Sequence, residues 1–171
     1  MIMKGLDAAT GSPRALLLFR IKELSTIMQH MGTVPACFVA SSLFLEYHEH
    51  KRQGLNAQYP LGGVILQGPV YSGQKILPCG CLFSKNDPYD NASVITKIEC
   101  PVFLIHGEQD TMIDARWVQQ LNDITLSPYP PWWVKDGGHL NILSKFEEDY
   151  IRQVMDFMKY CDGHNFLMCS V

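Results

Sequence analysis

Apolar blocks alternate with polar ones along this chain, and their lengths and spacing predict strands and helices in turn. Gly63-Val-Ile-Leu-Gln67 is an aliphatic run bounded by glycines, and Pro101-Val-Phe-Leu-Ile-His106 is a second that ends at Gly107. Uninterrupted apolar runs of this length read as strands buried on both faces. Leu24 to Met28 reads as a further short strand, and Trp132-Trp133-Val134 as another after the Pro130-Pro131 break. Helical spacing marks Pro13 to Lys22, Pro35 to Lys51 and Asp114 to Ile124. In the second of these, Cys37, Phe38, Ala40, Phe44 and Leu45 supply the apolar faces, and proline is tolerated in a first turn. A last helix is expected from Ser144 to about Tyr160, with Ser144 and Glu147 at capping-box spacing. Its inward residues are Phe146, Tyr150, Ile151, Val154, Phe157 and Met158. Arg52 to Gly62 reads as a loop, and Gly68 to Ile98 as loop-rich and polar. Buried strands alternating with helices predict an α/β fold with a mostly parallel sheet flanked by helices.

Composition narrows the function classes. The chain has 171 residues, 47% hydrophobic and 18% charged, enough to bury a core and too apolar for disorder. No window reaches the roughly 18 uninterrupted apolar residues of a membrane span, and no secretory leader or lipidation motif is visible. A net charge of −3 offers no basic field for nucleic acid. The cysteines (Cys37, Cys79, Cys81, Cys100, Cys161 and Cys169) are irregularly spaced and read as reduced thiols of an intracellular protein. Cys79-Gly-Cys81 lacks a second pair at zinc-ligand spacing, so neither metal nor cofactor is expected.

The chemistry concentrates at two strand ends. His106-Gly-Glu-Gln-Asp110 follows one strand and Gly137-Gly138-His139 follows the next. Loops at the carboxyl ends of parallel strands collect ligands and catalytic groups. An Asp and a His placed there, in that order, fit the orienting acid and general base of a hydrolytic triad. The alternative is structural, with Asp110 capping a helix and His139 occupying a turn. Asp114 fits a helix N-cap better than the acid role. Ser41, Ser42 and Cys37 lie in the helix that begins at Pro35, Ser72 in the loop after a strand, and Ser25 five residues before His30. His48 and His50 read as solvated, Trp117 as core, and the tryptophans of Tyr129-Pro-Pro-Trp-Trp133 as entering the sheet.

Met28-Gln-His-Met-Gly-Thr-Val-Pro35, Gly63 to Gly73, Pro101 to Asp114 and Gly137-Gly-His-Leu-Asn141 together resemble the α/β-hydrolase superfamily. The group resembled is that of the depalmitoylase-like serine hydrolases. The likeness runs from about Pro13 to about Tyr160 and covers the second half of the family's domain. It implies a single, N-terminally truncated domain over residues 1–171 and a partial hydrolase fold. It also implies hydrolysis of an acyl ester or thioester, with Asp110 as triad acid and His139 as triad base. The family's elbow reads Gly-x-Ser-x-Gly; here the aligned residues are Met28-Gln29-His30-Met31-Gly32, so His30 stands where the nucleophilic serine belongs. One oxyanion donor, the backbone N–H of Met31, survives this alignment, while the loop that supplies the second has no counterpart. Imidazole can in principle carry an acyl group, but the resemblance itself assigns His30 no such role.

Three readings follow. The first is a serine hydrolase acting on an acylated substrate, cytoplasmic or peripheral to membranes. The second, weighted above it by His30, is a pseudo-hydrolase that works by binding. The third is a gene-model fragment or decayed paralogue. Loss of the first half would leave the elbow strand's outer edge unpaired, so self-association or a partner is expected there.

Overall fold

The computed structural model describes residues 16–20, 23–57, 61–76 and 87–168, with side chains described for residues 29–57, 61–75 and 87–163. Its strands are β1 (Leu16–Arg20), β2 (Glu23–Gln29), β3 (Gly63–Gln67), β4 (Val102–Gly107) and β5 (Pro128–Val134). The helices are α1 (Thr33–Arg52), α2 (Gly73–Ile76), α3 (Asn91–Ile95), α4 (Ala115–Ile124), α5 (Ile142–Lys145) and α6 (Glu147–Met168). The five strands form one sheet in chain order. β2 to β5 run parallel, and β1 pairs antiparallel with β2.

Period-two alternation explains why β3 and β4 are apolar at every central position. Val64, Leu66, Val102 and Leu104 face a core built with Val34, Cys37, Ala40 and Phe44 of α1, Ile95 of α3, and Val118 and Leu121 of α4. Ile65, Phe103 and Ile105 face the other layer, with Tyr150, Val154, Phe157 and Cys161 of α6. Gly63 lets α6 lie close, since a Cβ there would meet Cys161 Sγ at 2.6 Å. β5 is an edge strand, which accommodates Pro128, Pro130 and Pro131, and the register slips between Phe103 and Ile105.

The structure corrects five expectations. The helix expected over Pro13–Lys22 is replaced by β1, in register from Leu16↔Ile27 to Arg20↔Glu23. A short apolar run does not distinguish strand from buried helix by periodicity, and pairing with β2 satisfies a row of backbone groups. For the same reason the outer edge of β2 is not open, and among the described residues β1 is the outermost strand on that side. The capping box is absent: Ser144 lies in α5, its hydroxyl donates to the Asn141 carbonyl at 3.2 Å, and α6 begins at Glu147. Ile151 is exposed, on the outer side of α6. Phe38 and Leu45 are exposed on α1, 45% and 58%, because this helix is apolar on its outer face as well as its inner one. Cys79, Cys81 and Cys169 lie outside the described residues.

Candidate functional site

The site forms where the carboxyl ends of β2, β4 and β5 meet. At the end of β2 the chain turns into α1 through a 3-10 turn, His30–Gly32. His30 has φ +51, a left-handed conformation that side chains other than glycine adopt at a cost. Tertiary contacts hold it there. The Thr33 hydroxyl donates to the His30 carbonyl at 2.5 Å. Gly68, itself at φ +54, leaves room for the imidazole, since a Cβ would sit 3.1 Å from His30 Nδ1. The His30 ring lies against that of His139, centroids 3.9 Å apart and planes inclined by 39°.

His139 Nδ1 is 2.8 Å from Asp110 Oδ2. The other carboxylate oxygen, Oδ1, accepts the backbone N–H groups of Met112 at 2.8 Å and Ile113 at 2.9 Å. The two loops carrying this pair are joined by backbone bonds from Glu108 N–H to the Val134 carbonyl and Gln109 N–H to the Gly137 carbonyl. Asp110 is almost fully buried at its carboxylate and His139 is 14% exposed. Burial alone would raise the Asp110 carboxyl; the Ile113, His139 and Met112 donors outweigh it and hold the group below the ordinary carboxylate value.

Two further histidine effects shape the electrostatics. Burial first, and then the neighbouring His139, push His30 down to about 4, so its imidazole is neutral at physiological pH. Burial also lowers His106, against the attraction of Asp110, whose Oδ2 is 3.9 Å from His106 Nδ1. His106 packs edge-on against Trp133. Beside Asp110 a cavity of about 460 Å³ opens between Tyr71, Lys75, Met112, Ile113 and Trp117.

Thus the structure brings together Asp110, His139 and His30, three residues named from the sequence. Met31, the oxyanion candidate, follows His30 in the 3-10 turn, where first-turn N–H groups lack intrahelical partners. Asp114 caps α4, its carboxylate accepting the Arg116 N–H at 2.8 Å. Ser41 donates to the Phe38 carbonyl inside α1, and burial raises the Cys37 thiol to about 12. Ser72 is buried after β3, and Ser42 is exposed on α1. His48 pairs with Glu99 on the surface.

Sequence reasoning missed a buried polar support. Gln67 accepts from Gln29 at 3.0 Å. Asn91 donates to Thr33 Oγ1 at 3.1 Å and to the Val70 carbonyl at 2.7 Å, tying α3 to the start of α1. A glutamine ending the apolar run of β3 was the available signal. Among the described residues no group of three or more His, Cys, Asp or Glu side chains is arranged to hold a metal ion.

No protein-family model matches the chain. It is 28% identical over 154 residues to the human alpha/beta hydrolase domain-containing protein 17B, covering 90% of this chain and 47% of that protein. Its fold superimposes on the Pyrococcus furiosus esterase Pf2001 with TM-score 0.59 at 20% identity, over 81% of this chain and 54% of the esterase. An esterase B of Lactobacillus rhamnosis gives TM-score 0.61 at 16% identity, over 88% and 55%. This is an α/β-hydrolase-fold protein. The chain spans about half the length of each of these hydrolase-fold relatives. The β2–α1 turn of this fold carries its positive φ at His30.

Among the described residues no helix is long and apolar enough to cross a membrane.

Proposed function

We propose that this chain is a hydrolase homologue that binds an acylated ligand at the sheet's carboxyl edge and does not hydrolyse alkyl esters through a serine. The carrying observation is His30, which fills the elbow apex and packs on His139, the space a serine hydroxyl and its substrate would share. Asp110 and His139 are held as an acid–base pair, so the orienting half of a triad is supported without its nucleophile. Ser41 is turned into its own helix. The ligand class, an acyl ester or thioester of the depalmitoylase-like kind, comes from the resemblance. The adjoining cavity mixes Tyr71, Met112 and Trp117 with Lys75, Glu108 and Asp114. On this reading the chain works in the cytoplasm or at the edge of membranes.

A fluorophosphonate probe tests the proposal. The chain should show no seryl adduct by peptide mapping and no turnover of ethyl butyrate, beside an active relative that shows both. A seryl adduct or alkyl-ester turnover overturns it.

A further inference from the structure

We propose that the cavity beside Asp110 is a receptor for an alkylammonium group, filled by the Lys75 ammonium until a linear amine or diamine takes its place. The inference goes beyond the acyl-ligand reading and makes no use of it.

The aromatic wall comes first. Trp117, expected in the core, is half-buried on α4 and lines the cavity of about 460 Å³ together with Tyr71. Their ring centroids are 5.7 Å apart and their planes inclined by 44°, so the two rings form a tilted corner. An indole presents the negative face of its quadrupole and attracts a cation set over it within about 6 Å. Lys75 Nζ sits 4.5 Å from the Trp117 centroid. The cavity thus already holds a primary ammonium at the end of a straight alkyl chain, carried by the protein itself.

The charges around the rings select the same class. Glu108, Asp110 and Asp114 line the cavity, and among the described residues Lys75 is the one basic side chain lining it. Arg116 takes up Asp114, Nη2 to Oδ2 at 2.6 Å. The Asp110 carboxylate is buried and committed to His139, Met112 and Ile113, so it contributes field without contact. Glu108 is exposed, and its carboxylate makes no hydrogen bond or ion pair among the described residues. It is the natural acceptor for the second ammonium of a diamine whose first lies over Trp117. An anion would be repelled by the carboxylates, and an uncharged chain gains nothing from Glu108 or from the ring quadrupole.

Replacement follows from how Lys75 is held. It is exposed on the short helix α2, on a flexible stem, with no carboxylate partner among the described residues. Swinging its ammonium into water leaves the cavity with uncompensated negative charge, which an incoming ammonium restores. Lys75 and the ligand therefore compete for one place, and removing the Lys75 charge strengthens binding.

Isothermal titration calorimetry of the full chain tests this with the five-carbon diamine cadaverine, against pentanediol and glutarate, its uncharged and anionic counterparts. Cadaverine should bind Lys75→Met at least tenfold tighter than wild type, because methionine keeps an unbranched stem without the charge. Adding Glu108→Gln to Lys75→Met should lose at least threefold of that affinity, and adding Trp117→Leu at least tenfold. Pentanediol and glutarate should bind neither wild type nor Lys75→Met. Absence of cadaverine binding to Lys75→Met, or affinity that pentanediol matches or that Lys75→Met leaves at the wild-type value, overturns the inference. So does cadaverine affinity that neither Glu108→Gln nor Trp117→Leu lowers. Glutarate binding to wild type that Lys75→Met abolishes would make Lys75 an anion's partner and overturn it as well. Should Trp117→Leu fail to give the wild-type circular dichroism, the Lys75→Met and Glu108→Gln arms decide, since both positions are exposed. Seryl labelling bears on the proposed function alone, so the two failures are distinct.

Discussion

Substituting Gly107 by alanine tests how the two loops of the site are joined. Gly107 closes β4, and a Cβ there would fall 2.2 Å from the Gly137 carbonyl oxygen, 2.5 Å from its carbon and 3.1 Å from Gly138 N. All three are backbone atoms, so no rotamer change relieves the crowding. The loops must part by roughly 1 Å to reach ordinary contact, which strains the 2.8 Å bond from Gln109 N–H to the Gly137 carbonyl. Overpacking costs about 1–3 kcal/mol, and the lost backbone bond adds about 1 kcal/mol. Gly107→Ala should therefore lose about 2–4 kcal/mol in urea unfolding followed by tryptophan fluorescence. The comparison is Gly163→Ala, an exposed position in α6 with nothing within 4 Å of the added methyl. It should gain about 0.5–1 kcal/mol from reduced chain entropy. A Gly107→Ala loss below about 0.5 kcal/mol, the scatter of surface substitutions, would refute the close approach of the His106–Asp110 and Gly137–His139 loops.

Further outcomes follow from the site and the helix behind it. The unfolded chain takes up histidine protons near pH 6.5, whereas folded His30 resists until about 4 and His106 is also depressed by burial. The unfolded state then binds more protons between these values, so stability should fall as pH drops from 6.5 to 4. His30→Gln should flatten that decline without abolishing it, since His106 remains; an unchanged urea-melt slope against pH would contradict the assignment. Asp110, depressed below the ordinary carboxylate value, should add a further loss at lower pH, absent in Asp110→Asn. His30→Ser should not hydrolyse ethyl butyrate, because the resemblance names the Met31 N–H alone as an oxyanion donor among the described residues; robust turnover would show that donor to be sufficient. Phe38, Val39 and Leu45 form an exposed apolar face on α1, so the chain should self-associate in sedimentation velocity and Phe38→Glu with Leu45→Lys should disperse it. A monodisperse wild type with a cooperative melt would rule this out.

What could be read from the sequence was what depends on short-range pattern. β3 and β4 were legible because a strand buried on both faces must be apolar at successive positions, as Val64 to Leu66 and Val102 to Ile105 are. Asp114 was legible as a cap because an aspartate before a helical stretch has a local bond to make. Asp110 and His139 were nameable from strand ends, 29 residues apart. β1 was not, because Leu16 to Phe19 becomes strand only through pairing with β2. The start of α6 was missed because Ser144 found a nearer acceptor in Asn141. The Asn91–Thr33 bond and the His30–His139 stack join residues far apart in the chain, and no local periodicity encodes them.

The chain-order sheet has a consequence for biogenesis. Gln29 meets Gln67, Val64 meets Val102 and His106 meets Trp133, so each parallel strand docks beside the one synthesised before it. The sheet can therefore grow vectorially as the polypeptide leaves the ribosome, without waiting for a distant segment. The stack between His30 and His139 is different, because it spans from the first parallel strand to the loop after the last. It closes only after every crossover between the described parallel strands has been laid down, while α6, which covers the other face of β3 and β4, is still to follow.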